Sequence, residues 1–305
     1  LTVTVAAMAG GTGDPDVTKS LAALADAEYD YVGVAFNDAA TLDAIQLAFG
    51  EQSGRWAWNI ELYGHAFVAK PGTVAALQTF GQSRNDPHCS CLGYPASPSP
   101  AWEFCAALTA EAAVGLRDDP ARPLQTLPLV GLLFAPLGSR FTIADLQALL
   151  FSGIAVCNAG LDGVVRIVRC ATTYQKNQYG QADPSWLDVQ TPATLQEVVR
   201  TLRTAITTKF PRHKLANDGT RFGPGQAIVT PGIIRDELIA QYRIMEFQGL
   251  VENMDAFKKA LIVERDTVDV NRVNVLLPPD LVNQLRVLAM LVQFRLQFSD
   301  QALAA

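Results

Sequence analysis

Over its first 169 residues the chain alternates short apolar runs with segments of helical period, and this alternation narrows the possible folds more than any other feature. Strand-like runs lie at residues 1–8, 31–36, 59–66, 90–94, 129–134, 154–158 and 164–169. Helical segments fall between them, at about 16–26, 39–50, 71–82, 100–115 and 142–150. The second of these carries a clear apolar stripe, Leu42, Ile45 and Phe49. Parallel strands need a crossover, and a helix is the usual one, so the pattern predicts a layered α/β fold around a largely parallel sheet. The last two runs lie close together and predict a hairpin.

The first run meets a glycine cluster, Gly10, Gly11 and Gly13, followed by Thr18-Lys19-Ser20. That is the outline of a phosphate-binding loop, which needs backbone N–H groups curled around the phosphate and a lysine reaching its outer oxygens. Counted from Gly13, the position that should be the second glycine is Thr18. Pro15 removes a donor, and Asp14 and Asp16 set negative charge beside a polyanion. The dinucleotide fingerprint fails as well, with Asp16 in the place of its last glycine. A strand-to-helix turn accounts for the residues better. Asp14 or Asp16 caps a helix, Pro15 sits at its start, and Val17, Leu21, Leu24 and Ala25 form its buried stripe.

With 49% hydrophobic and 18% charged residues over 305 positions, the chain can bury a sizeable core and is long enough for two domains. Its longest apolar stretches, 128–137 and 287–292, are too short to cross a bilayer as a helix. The first residues carry no signal-peptide pattern, and the opening at Leu1 inside a strand-like run leads us to expect further sequence upstream. Charge is uneven. Residues 1–185 hold 10 Lys/Arg against 17 Asp/Glu, a balance of −7, whereas residues 186–305 hold 14 against 13, a balance of +1. Neither half has the basic face that nucleic acid requires, and a mixed-charge surface suits protein contacts.

Residues 171–186 are polar, with Gly180 and Pro184, and predict a surface loop at a domain boundary; the first domain then spans 1–183 and the second 184–305. In the second, Thr191-Pro192 and Thr230-Pro231 open two helices whose buried faces are Leu195, Val198, Val199, Leu202 and Ile206, and Ile234, Leu238, Ile239, Tyr242 and Met245. The end returns to strand patterns at 261–265, 272–277 and 285–298. In the last run Leu288, Met290, Val292, Phe294, Leu296 and Phe298 hold every second position. The second domain is therefore α+β and smaller.

Chemistry-bearing signatures are sparse. His88, Cys89 and Cys91 hint at a metal site, but no second pair completes four ligands, and small buried strand residues are the better reading. Five cysteines in no framework fit a reducing compartment. His65 reads as a turn residue, His213 between Arg212 and Lys214 as a surface residue, and Asp118-Asp119 as a solvated loop. No catalytic, cofactor-binding or metal-binding residue emerges, and no cofactor is expected. The rival reading is a nucleotide-binding or hydrolytic α/β enzyme using the glycine loop.

Three long stretches, WLDVQTPATLQEVVRTLRTAITTKFPRHKLANDG, GLVENMDAFKKALIVERD and NRVNVLLPPDLVNQLRVLAMLVQFRL, closely resemble the tail sheath proteins of contractile phages, nearest those of Mu-like phages. The opening AGGTGDPDVTKSLAALADAEYDYV resembles the first α/β segment of that family, so the likeness covers almost the whole chain. It implies a subtilisin-like α/β sheath domain without peptidase activity. It also implies a structural protein of the virion that stacks as hexameric rings around a tail tube and contracts to drive the tube through an envelope. The partners it implies are further copies of itself, the tube, the baseplate and the tail terminator, with assembly in the host cytoplasm. The carboxyl domain would face the tube, with Lys258 and Lys259 as candidate contacts, and Leu288, Met290, Val292, Phe294 and Leu296 would lie in a strand exchanged with a neighbour. Family members carry an upstream extension that joins a neighbour's sheet. A chain opening at Leu1 is expected to stay monomeric or weakly associated.

Overall fold

The computed structural model describes residues 13 and 15–294. The runs at 1–8 and beyond 294, including Leu296, lie outside them. A six-stranded sheet organises the first part, in the order β1 (Tyr31–Gly33), β2 (His65–Pro71), β3 (Cys89–Tyr94), β5 (Ala155–Ala159), β6 (Val165–Arg169) and β4 (Pro128–Leu129). β1, β2, β3 and β5 run parallel, while β6 returns antiparallel to β5 as the expected hairpin and pairs antiparallel with β4.

Both faces of this sheet are covered, which is why its strands read as nearly continuous apolar runs. Helices α2 (Ala39–Ala48), α3 (Val74–Gln82) and α5 (Ile143–Leu150) press Leu42, Ile45, Leu77, Leu146 and Leu149 onto Ala66, Val68, Cys89, Cys91 and Val156. The long helix α4 (Ala101–Asp118) covers the opposite face, with Phe104, Leu108, Ala112 and Leu116 against Phe67, Leu92, Tyr94, Cys157 and Ile167. Successive residues of β2 and β3 thus join opposite cores, as the two-residue period of a strand requires. One close approach depends on glycine: a Cβ on Gly81, in α3, would lie 2.0 Å from the Ser152 carbonyl oxygen. The short helix α1 (Thr18–Ala23) buries no residue completely; Leu21 and Leu24 lean on the core, and Ala25, expected in its stripe, lies past its end with φ +44°.

Two strand expectations are corrected. The run at 59–66 becomes a strand only at His65, because Glu61 and Tyr63 adopt positive φ. The Arg55 guanidinium fixes that irregular loop by donating to the carbonyls of Tyr63 (3.0 Å), Ala25 (3.2 Å) and Ala27 (2.7 Å). The run at 129–134 pairs only through Pro128–Leu129, before Gly131 at φ +86° turns the chain away.

The remainder is built on two helices, α6 (Gln190–Lys209) and α7 (Pro231–Phe247), with the shorter α8 (Met254–Ala260). Three two-stranded sheets accompany them: β7 (Lys214–Leu215) with β8 (Ile228–Val229), β9 (Val251–Glu252) with β12 (Asp280–Leu281), and the hairpin β10 (Ile262–Arg265) with β11 (Val273–Leu276). Their shared core holds Val198, Leu202, Ile234, Leu238, Met245 and a stacked pair, Tyr242 and Phe257, with centroids 3.7 Å apart. Thr230 caps α7 as expected, accepting from the Ile233 N–H. Thr191 does not cap α6: the helix begins at Gln190, because the chain turns inward when the Val189 N–H donates to the Cys170 carbonyl at 3.1 Å.

Helix α6 spans both units. Val189 and Ala193 join the core beside α4, whereas Val198 and Leu202 join the carboxyl core. Polar contacts complete the junction: Arg200 to Asp30 at 2.7 Å, Arg203 to Glu61 at 2.8 Å, and Arg272 stacked 4.6 Å from the Trp58 ring centre. The segment expected as a surface loop is exposed along most of 176–182, but it begins buried, where the Thr173 N–H donates to the Cys89 carbonyl at the root of β3.

Candidate functional site

Among the described residues, the groups singled out as possible catalysts do not come together in one site. Gly10, Gly11, Thr12 and Asp14 lie outside the described residues. Gly13 adopts φ +82°, and the Thr18 N–H that a phosphate would need already donates to Asp16 Oδ1 at 2.9 Å. The Thr18 side chain, and then that backbone bond, lower the Asp16 carboxyl below its usual range, so the position carries negative charge. Lys19 is exposed on α1, a helix of six residues.

His65 faces Ser90, Nε2 to Oγ 2.9 Å, the start of a hydrolytic pair. Both side chains are sealed inside the fold, and His65 Nδ1 has no partner, so no carboxylate orients the ring. Burial, reinforced by nearby His88, holds the imidazole well below its ordinary pKa and therefore neutral. Burial likewise pushes the Cys91, Cys157 and Cys170 thiols up to about 12, where almost no thiolate exists at neutral pH. Among the described residues no group of three His, Cys, Asp or Glu side chains could hold a metal ion. Asp118 closes α4 and pairs with Arg117, while Asp119, just past the helix, accepts from the Ala121 N–H, so the expected loop begins only at Asp119.

A cavity of about 570 Å³ opens beside His88, lined by Glu51, Asp86, Tyr174 and Trp186 among others. The imidazole stacks on Trp56 at 4.2 Å and lies 3.5 Å from Glu51 Oε1. Most polar groups around it satisfy one another: Asn85 Oδ1 accepts from the Gln175 and Lys176 N–H groups, and the Tyr174 hydroxyl donates to Asp183. This is a polar corner tying the 171–186 segment to the turn that follows α3.

The conspicuous surface lies elsewhere. Residues 283–294 belong to no strand, and Leu285, Val287, Leu288, Met290, Leu291, Val292 and Phe294 stand exposed, Phe294 at 83%. Over residues 285–294 the expected strand is therefore not formed within the single chain. From Val287 to Val292 both parities are apolar, so a docked strand needs cover on both faces, and no described part of this chain provides it. Patches of this kind mark contact surfaces. The segment is anchored at its root, where Arg286 Nη2 donates to Gln190 Oε1 at 2.9 Å and pairs with Asp188 Oδ1 at 3.2 Å. Lys258 and Lys259 lie on the last turn of α8, exposed and outside any ion pair among the described residues. Sequence reasoning missed the Arg286 contact; a charge at the start of the apolar run was its only signal.

Comparison with known proteins gives one answer. A model of the phage tail sheath central domain matches residues 10–173, and one of the phage tail sheath C-terminal domain matches 181–295. A Mu-like prophage tail sheath protein of Haemophilus influenzae is 40% identical over 294 residues, 96% of this chain; the chain spans 60% of that protein's length. Among solved structures, the sheath tail protein of Listeria innocua superposes with TM-score 0.64 at 14% identity, covering 90% of this chain and 59% of that one. The sheath tail protein of Desulfitobacterium hafniense gives 0.56 at 13%, covering 86% and 59%. The contracted helical sheath of an anti-feeding prophage gives 0.53 at 12%, covering 94% and 76%. At these identities the superpositions speak for the fold.

Proposed function

The chain belongs to the phage tail sheath family, and from that premise we propose that it is a structural subunit of a contractile tail, not an enzyme. In this reading subunits stack as hexameric rings around the tail tube, and their contraction drives the tube through the host envelope. The partners are further copies, the tube, the baseplate and the tail terminator, without nucleic acid or membrane insertion. Assembly takes place in the host cytoplasm. The likeness in fold to an anti-feeding prophage's helical sheath in its contracted state supports the contractile part.

One observation on this chain carries the proposal: an apolar segment, fixed at its root and exposed beyond it. Fully burying a Leu, Val, Met or Phe side chain contributes about 1.5–3 kcal/mol, while ordering each residue's backbone costs about 1–2 kcal/mol. The segment therefore docks only where a partner covers both faces and completes its backbone ladder. A neighbouring subunit's sheet edge supplies both at once. Main-chain ladders also tolerate reorientation of the bodies they join, which a contracting polymer requires. The subtilisin-like character of the α/β domain and its division from the carboxyl domain near residue 183 belong to the same proposal.

Electron microscopy of the full-length protein tests it. Rings or tubes of repeating subunits are expected. A protein that stays monomeric at high concentration and shows a thermal shift of several degrees with ATP and magnesium instead overturns it in favour of a nucleotide enzyme.

A further inference from the structure

The root of the carboxyl segment is fastened at the start of the second domain, to Asp188 and Gln190, and through Asp188 to Arg169 of the first. Asp188 stands just before α6, and Ala171 forms an isolated β-bridge with it. Its carboxylate receives a two-pronged pair from Arg169, at the end of β6: Nε to Oδ1 and Nη2 to Oδ2, both 2.8 Å. The Arg286 guanidinium approaches the same carboxylate and also reaches Gln190, whose own Nε2 donates to the Arg122 carbonyl at 3.4 Å. The Arg286 and Asp188 side chains are only 13% and 12% exposed. A partly buried arginine inside an apolar run is costly unless its position matters, and Arg286 Nε has no partner. Leu285 just before it is exposed already, and from Val287 onward the chain is exposed without a break.

We propose that Arg286 is the anchor from which the carboxyl arm leaves the subunit, and that load on the arm enters the central sheet through Asp188 and Arg169. This rests on the arm being the connector between subunits. A pull on residues 287–294 then bypasses the smaller carboxyl core and reaches β6, which is hydrogen-bonded into the six-stranded sheet. A short charged anchor also fixes the arm's direction of exit, which a polymer needs if every neighbour is to be met at the same place. Arg286→Ala leaves the Arg169–Asp188 pair intact, so the fold survives the substitution.

All five native cysteines are buried, so a spin label can be placed selectively on an introduced cysteine. With Asn283→Cys the label is expected to be immobilised, and with Val292→Cys mobile. Adding Arg286→Ala should free the label at 283 and leave that at 292 and the thermal midpoint nearly unchanged. Arg286→Lys should fall between, since an ammonium does not reproduce the planar fork. In assembled full-length protein, Arg286→Ala should raise the rate of tube dissociation in urea roughly tenfold. Equal immobilisation at 283 with and without Arg286, or unchanged dissociation, overturns the anchor. Truncation after Gln284 separates the two ideas: tubes that still form without the arm sink the connector reading, whatever the label shows.

Discussion

At the scale of single residues, His65 makes a prediction whose sign is fixed by its surroundings. Its folded-state pKa lies well below 6.5, chiefly through burial, so between that value and 6.5 the unfolded chain binds a proton that the folded chain refuses. The stability this gives is fully present above about pH 6.5 and is lost as pH falls below it, by at most about 1.4 kcal/mol per pH unit. Asp86 works in the opposite sense, since burial raises its carboxyl above 3.8, and a comparison of two proteins removes it. His65→Gln keeps a partner for Ser90 and should flatten urea-denaturation stability between pH 7 and 5 relative to the parent; parallel curves would show that His65 does not titrate on unfolding. Lys19 is the converse case. It is exposed on a helix that buries nothing completely, so Lys19→Ala should change stability by no more than about 0.5 kcal/mol. A loss of several kcal/mol in denaturant would mean that the glycine loop and its helix hold this lysine after all.

Among elements, Thr230 tests how far local signals govern. Its hydroxyl satisfies the Ile233 N–H and Pro231 follows in the first turn, so Thr230→Ala should cost about 1 kcal/mol in urea unfolding. A cost indistinguishable from zero would show that packing alone starts α7. Such local signals made much of the fold legible. Alternation and helical period located α2, α3, α4 and α5, the Thr230-Pro231 start signal located α7, and the alternation foretold the layered α/β body with its β5–β6 hairpin. Where the sequence misled, a distant partner decided. Arg55 bends 59–64 out of strand geometry through carbonyls 28 and 30 residues away, and α6 starts at Gln190 because Val189 is tied to Cys170. Leu285 to Phe294 show the same limit from the other side: apolar alternation promises a strand, but a strand needs an edge to pair with, and periodicity does not say on which molecule that edge lies. The proposed assembly surface is therefore legible as residues and not as geometry, and the Arg286 contact with Asp188 and Gln190 is not legible at all.

For the whole molecule, two surfaces carry the proposed assembly, and they differ in how salt should affect them. Lys258 and Lys259 are exposed on α8, in the half of the chain whose balance is +1. If they face an acidic tube, reversing both to Glu should reduce co-assembly with tube at low salt, and the difference should shrink as salt screens it. Equal yield across the salt series would remove the pair from the interface. The arm obeys different physics. Its exposed Leu, Val, Met and Phe side chains gain by leaving water, a gain that salt does not screen, and its backbone gains by completing a ladder. Truncation after Gln284 should therefore abolish tube formation at every ionic strength while leaving the six-stranded sheet and both helical layers folded, because no described residue beyond 284 belongs to a core cluster. Val292→Pro should act similarly with less loss of apolar surface, since proline removes one ladder N–H and fixes φ. Val292 is exposed in the single chain, so this substitution should leave the monomer's thermal midpoint unchanged, and a failure to polymerise then reports on the junction between subunits. Full-length tubes of normal length from either variant would show that the connection between subunits runs through another part of the molecule.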